Sequence, residues 1–342
     1  MLKIGLIGAG FMGGMHAACY QALADEGVCV TAVADLRDEK AEAIAEKSGA
    51  VIYKTGFELI ASADVDAIDI CLPTYLHTEH AVAAMQKGLA VFIEKPVCLT
   101  ESDMDLLIRT AKETKVPVMV GQCIRLWSEY AWLKKVIEEK RYGSLISGVF
   151  TRVSPSPTWS WENWLNNPQC SGTVATDMHV HDVDFVRYIL GEPTKIAATA
   201  ARDADGIIQQ IFSTFEYDRA IVTVEACWDY PQAFPFEMSY RIKFNDASIV
   251  FSSTANPSLV VYTNAGEKIV PELEKEYEGE NNIGGNLSSL GAYYTELKYF
   301  THALVHDLPL EISPLDDAIE SVRLVNREIE IAGGYGKDSR NV

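Results

Sequence analysis

The chain is short of positive charge. It carries 29 Lys and Arg against 48 Asp and Glu, a formal net charge of −19 over 342 residues. That balance argues against a phosphate-backbone or anionic-membrane partner, because both need a basic face. It also lacks any apolar run long enough to span a bilayer, and the first residues open directly into a strand pattern with no signal-peptide signature. Cysteine is sparse and unpaired in spacing: Cys19, Cys29, Cys71, Cys98, Cys123, Cys170 and Cys227 make an odd number with no C-x-x-C. Reduced thiols and a cytoplasmic location are the expectation. No internal repeat or low-complexity tract interrupts the chain. What remains is an ordinary globular composition, long enough that two domains are expected rather than one.

The first sixteen residues are the richest. Lys3–Ile7 reads as a buried strand, followed by Gly8-Ala9-Gly10-Phe11-Met12-Gly13 and a helical pattern through Met15, Cys19 and Leu23. The spacing G-x-G-x-x-G between a strand and a helix is that of a dinucleotide-binding turn. Gly8 permits the tight turn, Gly10 lets a pyrophosphate approach, and Gly13 lets helix and strand pack closely. Phe11 and Met12 are further cofactor-binding candidates within the turn, and the helix that follows would present its free N–H groups to the phosphates. A second apolar run, Val28–Ala34, ends in Asp35, 22 residues after Gly13. A carboxylate there accepts hydrogen bonds from an adenosine ribose and repels a 2′-phosphate, which favours NAD over NADP. Arg37 works the other way, by offsetting that repulsion or stacking on an adenine.

Strand-like runs at Ala67–Cys71, Ala90–Ile93 and Pro117–Gly121 alternate with helical ones at 38–48, 56–61, 78–87 and 101–114, with Thr100 as an N-cap. Repeated β-α units predict a doubly wound parallel sheet over residues 1–122. From residue 123 to 342 the pattern changes to an α/β domain. A helix at 128–139 precedes a strand at 144–153, an aromatic loop, and a helix from about Val174 to Leu190. Strand runs at 196–202, 207–217, 220–230, 239–245 and 248–251 predict an open, mostly antiparallel sheet. Residues 266–286 read as a mobile charged loop, and helices at 292–305 and 314–333 close the chain.

Three further segments carry chemistry. Cys71-Leu72-Pro73-Thr74-Tyr75-Leu76-His77 lies at a strand's carboxyl end, where ligands bind in such sheets. Pro73 fixes the turn, Thr74 and His77 can line a cofactor crevice, and His77 can equally start the next helix. Glu94-Lys95-Pro96 ends the following strand. Lys95 there sits where a nicotinamide would lie, and its ammonium can stabilise oxyanion character on a reacting hydroxyl; the bland alternative is a surface pair with Glu94. In Asp177-Met178-His179-Val180-His181-Asp182-Val183-Asp184, helical spacing puts Asp177, His181 and Asp184 on one face. His181 suits proton transfer near neutral pH, with Asp177 to orient it. No metal is expected, since His179 and His181 at i, i+2 on a helix diverge. Trp161, in the loop Thr158-Trp159-Ser160-Trp161-Glu162-Asn163-Trp164, is either a stacking surface for a sugar ring or a packing anchor.

In combination these motifs resemble the Gfo/Idh/MocA family of sugar and inositol oxidoreductases, over essentially the whole chain. The resemblance implies a Rossmann domain followed by an α/β domain whose open sheet forms subunit contacts, hence a homodimer or homotetramer. It implies NAD as cofactor and oxidation of a secondary hydroxyl of a sugar, inositol or related polyol. Lys95 would polarise that hydroxyl, His181 act as acid/base, Asp177 support it and bind substrate, and Arg125, in Gly121-Gln122-Cys123-Ile124-Arg125, lie at the site. An NAD-dependent glycosidase working by transient oxidation and a non-catalytic NAD-binding regulator are the rival expectations. The stretch Cys170-Ser171-Gly172-Thr173 is poorer in glycine than the family pattern.

Overall fold

Short apolar strands that need cover on both faces alternate with helices over the first 121 residues. The computed structural model, which describes residues 1–274, 277 and 290–334, assembles them into a six-stranded, all-parallel sheet. Its strands are β1 (Leu2–Ile7), β2 (Val28–Ala34), β3 (Val51–Tyr53), β4 (Ala67–Ile70), β5 (Ala90–Glu94) and β6 (Val118–Gly121). The spatial order β3-β2-β1-β4-β5-β6 is the doubly wound order that reverses between β1 and β4, and its crevice opens at the strands' carboxyl ends. The helices are α1 (Phe11–Ala22), α2 (Asp38–Ser48), α3 (Gly56–Ser62), α4 (His77–Gln86) and α5 (Glu101–Thr114). At α5 the expected cap is present: Thr100 Oγ1 accepts the Asp103 N–H at 3.2 Å. Ile4, Leu6, Val91, Phe92 and Ile93 are fully buried, as strands covered on both faces require.

The second sheet has eight strands, ordered β14-β13-β12-β11-β7-β10-β9-β8. They are β7 (Leu145–Pro155), β8 (Lys195–Arg202), β9 (Ile208–Glu216), β10 (Ile221–Tyr230), β11 (Glu237–Phe244), β12 (Ala247–Ser252), β13 (Leu259–Thr263) and β14 (Lys268–Ile269). Every pairing is antiparallel except β7 with β10. Helices α6 (Ser128–Glu138), α7 (Pro168–Ser171), α8 (His179–Leu190), α9 (Gly291–His306) and α10 (Leu315–Ile331) complete the elements. Along β12 burial alternates residue by residue, the mark of a sheet with one covered face and one open face.

The chain divides into two units, residues 1–126 with 275–319 and residues 127–274 with 320–342. Both are discontinuous in sequence, where the sequence analysis drew a single cut after residue 122. Within the stretch expected as loop over 266–286, Lys268–Ile269 pairs with β13, and residues 275–276 and 278–286 lie outside the described residues. The helix expected from Val174 is two pieces, a π-helical turn (Val174–Met178) followed by α8. No helix among the described residues is long and apolar enough to cross a membrane.

Candidate active site

The glycine turn is built as its spacing demands. Gly8 has φ +92°, and a Cβ there would lie 2.6 Å from the Cys71 carbonyl oxygen. A Cβ on Gly13 would fall 1.8 Å from the Gly8 carbonyl oxygen, so α1 lies directly against the exit of β1. Gly10 is the N-cap of α1 and supplies no side-chain cap; a Cβ there would approach only the Arg37 guanidinium, at 3.6 Å. Phe11 and Met12 open the helix. This is a backbone cradle of the kind that takes a phosphate group at a helix N-terminus.

Asp35 follows β2 and turns back on this cradle. Its Oδ2 accepts the Ala9 N–H at 2.8 Å, and its two oxygens take the Arg37 Nε and Nη2 donors, both at 2.9 Å. Burial works against its ionisation, but the Arg37 side chain and the Arg37 and Ala9 N–H groups hold the carboxyl below its ordinary range. Arg37 is thus held by Asp35, and the carboxylate keeps its negative charge beside the cradle. Asp35→Ser removes the repulsion and releases the guanidinium. The ratio of NADP to NAD affinity, read by fluorescence titration, is expected to move about 10–100-fold toward NADP, the worth of one charge-assisted hydrogen bond. An unchanged ratio would show that Arg37 does not reach the 2′ position.

The ends of β4, β5 and β6 supply the rest of the crevice in this unit. Pro73 and Thr74 follow β4. Thr74 is 1% exposed and its hydroxyl has no hydrogen-bond partner among the described residues. His77 is buried, with Nδ1 3.0 Å from the Pro96 carbonyl and Nε2 2.7 Å from the Leu72 carbonyl. Burial lowers its pKa, so the ring is neutral and donates to one carbonyl at a time. Its place is therefore to tie the turn after β4 to the turn after β5. Glu94 ends β5, and its Oε2 accepts the Lys95 N–H at 3.1 Å. Lys95 itself is half-buried. Arg125 is buried, with Nη1 donating to the Ile312 carbonyl at 2.5 Å and Nη2 2.6 Å from Asp317 Oδ2, contacts that fix the guanidinium within its own unit.

Gln122 was not singled out from sequence. It is 1% exposed just beyond β6, and neither its side-chain amide oxygen nor its nitrogen has a hydrogen-bond partner among the described residues. Buried polar atoms are ordinarily paired. Those left over at Thr74 and Gln122, together with the side-chain-free cradle at Gly8, Gly10 and Gly13, fit a polar dinucleotide laid along the strand ends. The only sequence signal for Gln122 was its position immediately after a strand of this sheet.

In the other unit, Asp177 lies in the π-helical turn and His181 in the first turn of α8. The turn is introduced by Gly172 at φ +68° and Thr173 at φ +58°. Thr173 is buried in that left-handed conformation, its N–H bound to Ser171 Oγ at 2.8 Å. A π-turn and a strained non-glycine residue side by side mark functional positions more often than framework. The surrounding polar residues are committed elsewhere. Asp182 pairs with Arg152 at 2.7 Å and accepts from Tyr130 at 3.2 Å. Asp184 accepts from Ser321 at 2.7 Å. His179 lies 2.7 Å from Glu328. All three are 0% exposed, whereas Asp177 and His181 are half-buried. Asp184, expected on one face with Asp177 and His181, is instead fully buried, its Oδ1 accepting from Ser321 of α10. Trp161 opens a 3₁₀ turn (Trp161–Asn166) and is exposed, followed by Glu162 and Asn163 at φ +50° and +57°.

A six-stranded parallel sheet with a glycine cradle, an acid just after β2 and a buried polar rim, followed by an open antiparallel sheet, has the architecture of a nicotinamide-dinucleotide oxidoreductase. The model of the oxidoreductase family with an NAD-binding Rossmann fold matches residues 2–122, and that of the GFO/IDH/MocA C-terminal domain matches residues 130–250. The chain belongs to the Gfo/Idh/MocA oxidoreductase family. It is 33% identical over 201 residues to inositol 2-dehydrogenase of Rhizobium meliloti, covering 58% of each chain. Against myo-inositol 2-dehydrogenase of Thermotoga maritima it is 30% identical over 227 residues, 65% of this chain and 64% of that one. The match thus spans less than two thirds of either relative. In fold it is similar to levoglucosan dehydrogenase in complex with NADH and levoglucosan, with a TM-score of 0.82 at 22% identity over 97% of both chains.

Proposed function

We propose that this protein is an NAD-dependent dehydrogenase that oxidises a secondary hydroxyl of a sugar, inositol or related polyol. The observation that carries the reading is selective exposure: in a segment of five acids and histidines, three are fully buried, and Asp177 and His181 are the two that reach solvent, beside a strained turn. When bound, NAD supplies the hydride acceptor. Gly8, Gly10, Phe11, Met12 and Gly13 seat its phosphates, Asp35 its adenosine ribose, and Thr74 and Gln122 offer polar groups along the strand ends. Lys95 donates to the reacting oxygen and stabilises its developing negative charge. His181 takes the hydroxyl proton, and Asp177 orients the imidazole and accepts from a neighbouring substrate hydroxyl. Trp161 offers an apolar ring face for a sugar, and Arg125 holds the chain beyond β6. Subunits pair through the open face of the β7–β14 sheet.

The test is a panel of polyols, inositols and sugars with NAD and NADP side by side, followed by NADH absorbance. Stoichiometric NADH formation with a member of the panel is expected. Product release with no net NADH would assign transient oxidation instead, and no turnover with retained NAD binding would assign a sensor.

A further inference from the structure

Beneath the Glu94–Lys95 turn, four polar side chains from four elements meet with almost no access to solvent: His16 of α1, Asp69 of β4, Glu94 of β5 and Glu296 of α9. None is more than 5% exposed. Asp69 is well satisfied as a carboxylate. Its Oδ2 lies 2.8 Å from His16 Nδ1 and accepts the Tyr20 hydroxyl at 2.9 Å, and its Oδ1 accepts from Cys71 Sγ at 3.4 Å. His16 Nε2 lies 3.0 Å from Glu94 Oε1, off the line of a good hydrogen bond. The other oxygen of Glu94 accepts the Lys95 N–H. Glu296 closes the cluster: donor atoms of His16, Glu94 and Glu296 all lie within 4.8 Å of one another, and neither Glu296 oxygen has a hydrogen-bond partner among the described residues. Around them are the Phe92 ring, edge-on to His16 at 5.5 Å, and Tyr293 at 6.3 Å.

Two carboxyl groups this close in a dry site do not both ionise. We propose that Glu296 is a protonated acid kept neutral by the neighbouring Glu94, and that with His16 it packs the Glu94–Lys95 turn against the helix of the glycine cradle. His16 and Glu296 are then positioning residues for Lys95, an inference that rests on the role given to Lys95 above. The electrostatics agree. Burial, and then the Glu94 charge, push the Glu296 carboxyl well above its ordinary range. Burial opposes a charged His16, but Asp69, ahead of Cys71, raises its pKa well above the usual imidazole range, and its two ring nitrogens face Asp69 and Glu94. His16, one helical turn into α1, thus ties the phosphate cradle to the strand end that carries the reacting ammonium.

Glu296→Gln and Glu296→Ala in the full chain, saturated with NAD, separate this from its rivals. A glutamine has the shape and the donor of a protonated acid. Glu296→Gln is expected to keep kcat within about threefold and to lose the infrared carbonyl band of a buried protonated carboxylic acid, whereas Glu296→Ala loses about 100-fold in kcat, as a misplaced reacting group does. If Glu296→Ala does not fold, the glutamine variant's band and kcat still decide. The proposal is overturned if the glutamine variant falls as far as the alanine one, if the infrared band is absent from the parent protein, if the alanine variant keeps full turnover, or if mass spectrometry finds a stoichiometric divalent metal, since the same donor atoms would suit one. The infrared result does not depend on Lys95. A Lys95→Ala variant with full turnover would overturn the catalytic reading while leaving the protonated Glu296 intact.

Discussion

Lys95→Ala and His181→Ala each lower kcat by about 10²–10⁴-fold, the range of one lost proton-transfer or oxyanion-stabilising group, while the NAD dissociation constant stays within about threefold. The separation follows from where the residues lie. In the proposed binding mode the phosphates and adenosine ribose are served by the Gly8–Gly13 cradle and by Asp35, whose oxygens are fixed by Ala9 and Arg37, and neither substitution touches those contacts. Lys95 contributes its main-chain N–H to Glu94, which alanine keeps, so the side-chain truncation removes chemistry and leaves the turn. For His181, the neighbours that hold α8 in place are Asp182 on Arg152 and Asp184 on Ser321, again untouched. Steady-state NADH formation and fluorescence titration read the two quantities separately. Near-normal turnover in the Lys95→Ala, His181→Ala double variant would remove both from the mechanism.

What the sequence shows most clearly is what is local. Helices α2 and α5 and strand β2 lie where pattern and capping place them, because a Thr100 cap or an apolar run is set by neighbours in sequence. Strand β3 is missed because it is three residues of an edge with Val51 and Ile52 exposed, so no burial pattern marks it. The π-turn before α8 is missed because hydrophobic spacing does not distinguish it from a regular helix, and its cause, a left-handed Thr173, is not a residue type that announces such a conformation. The buried cluster is the instructive case. Asp69 stands inside an apolar parallel strand, and Glu296 shares a face with Ala292 and Phe300 at four-residue spacing, all three fully buried. A charge on an apolar face is a legible signal. Its partners are not, since residues 16, 69, 94 and 296 meet only through the fold.

Gly13 and Gly14 are adjacent in α1, and alanine at each has opposite effects. At Gly13 the added Cβ would lie 1.8 Å from the Gly8 carbonyl oxygen. Both sides of that clash are backbone, so no rotamer change relieves it and α1 must move off β1. A destabilisation above about 3 kcal/mol is expected, at the upper end of overpacking costs, together with loss of NAD binding, because displacing α1 displaces the helix N-terminus that seats the phosphates. At Gly14 nothing lies within 4 Å of the added Cβ, and removing a glycine from a helix interior stabilises by about 0.5–1 kcal/mol. Urea unfolding of the two variants, with NAD titration of each, makes the comparison with helix propensity held constant. If Gly13→Ala unfolded at the same denaturant concentration as Gly14→Ala, close packing of α1 on β1 would not be what the third glycine of the turn provides, and its place in the cradle would need a different physical cause.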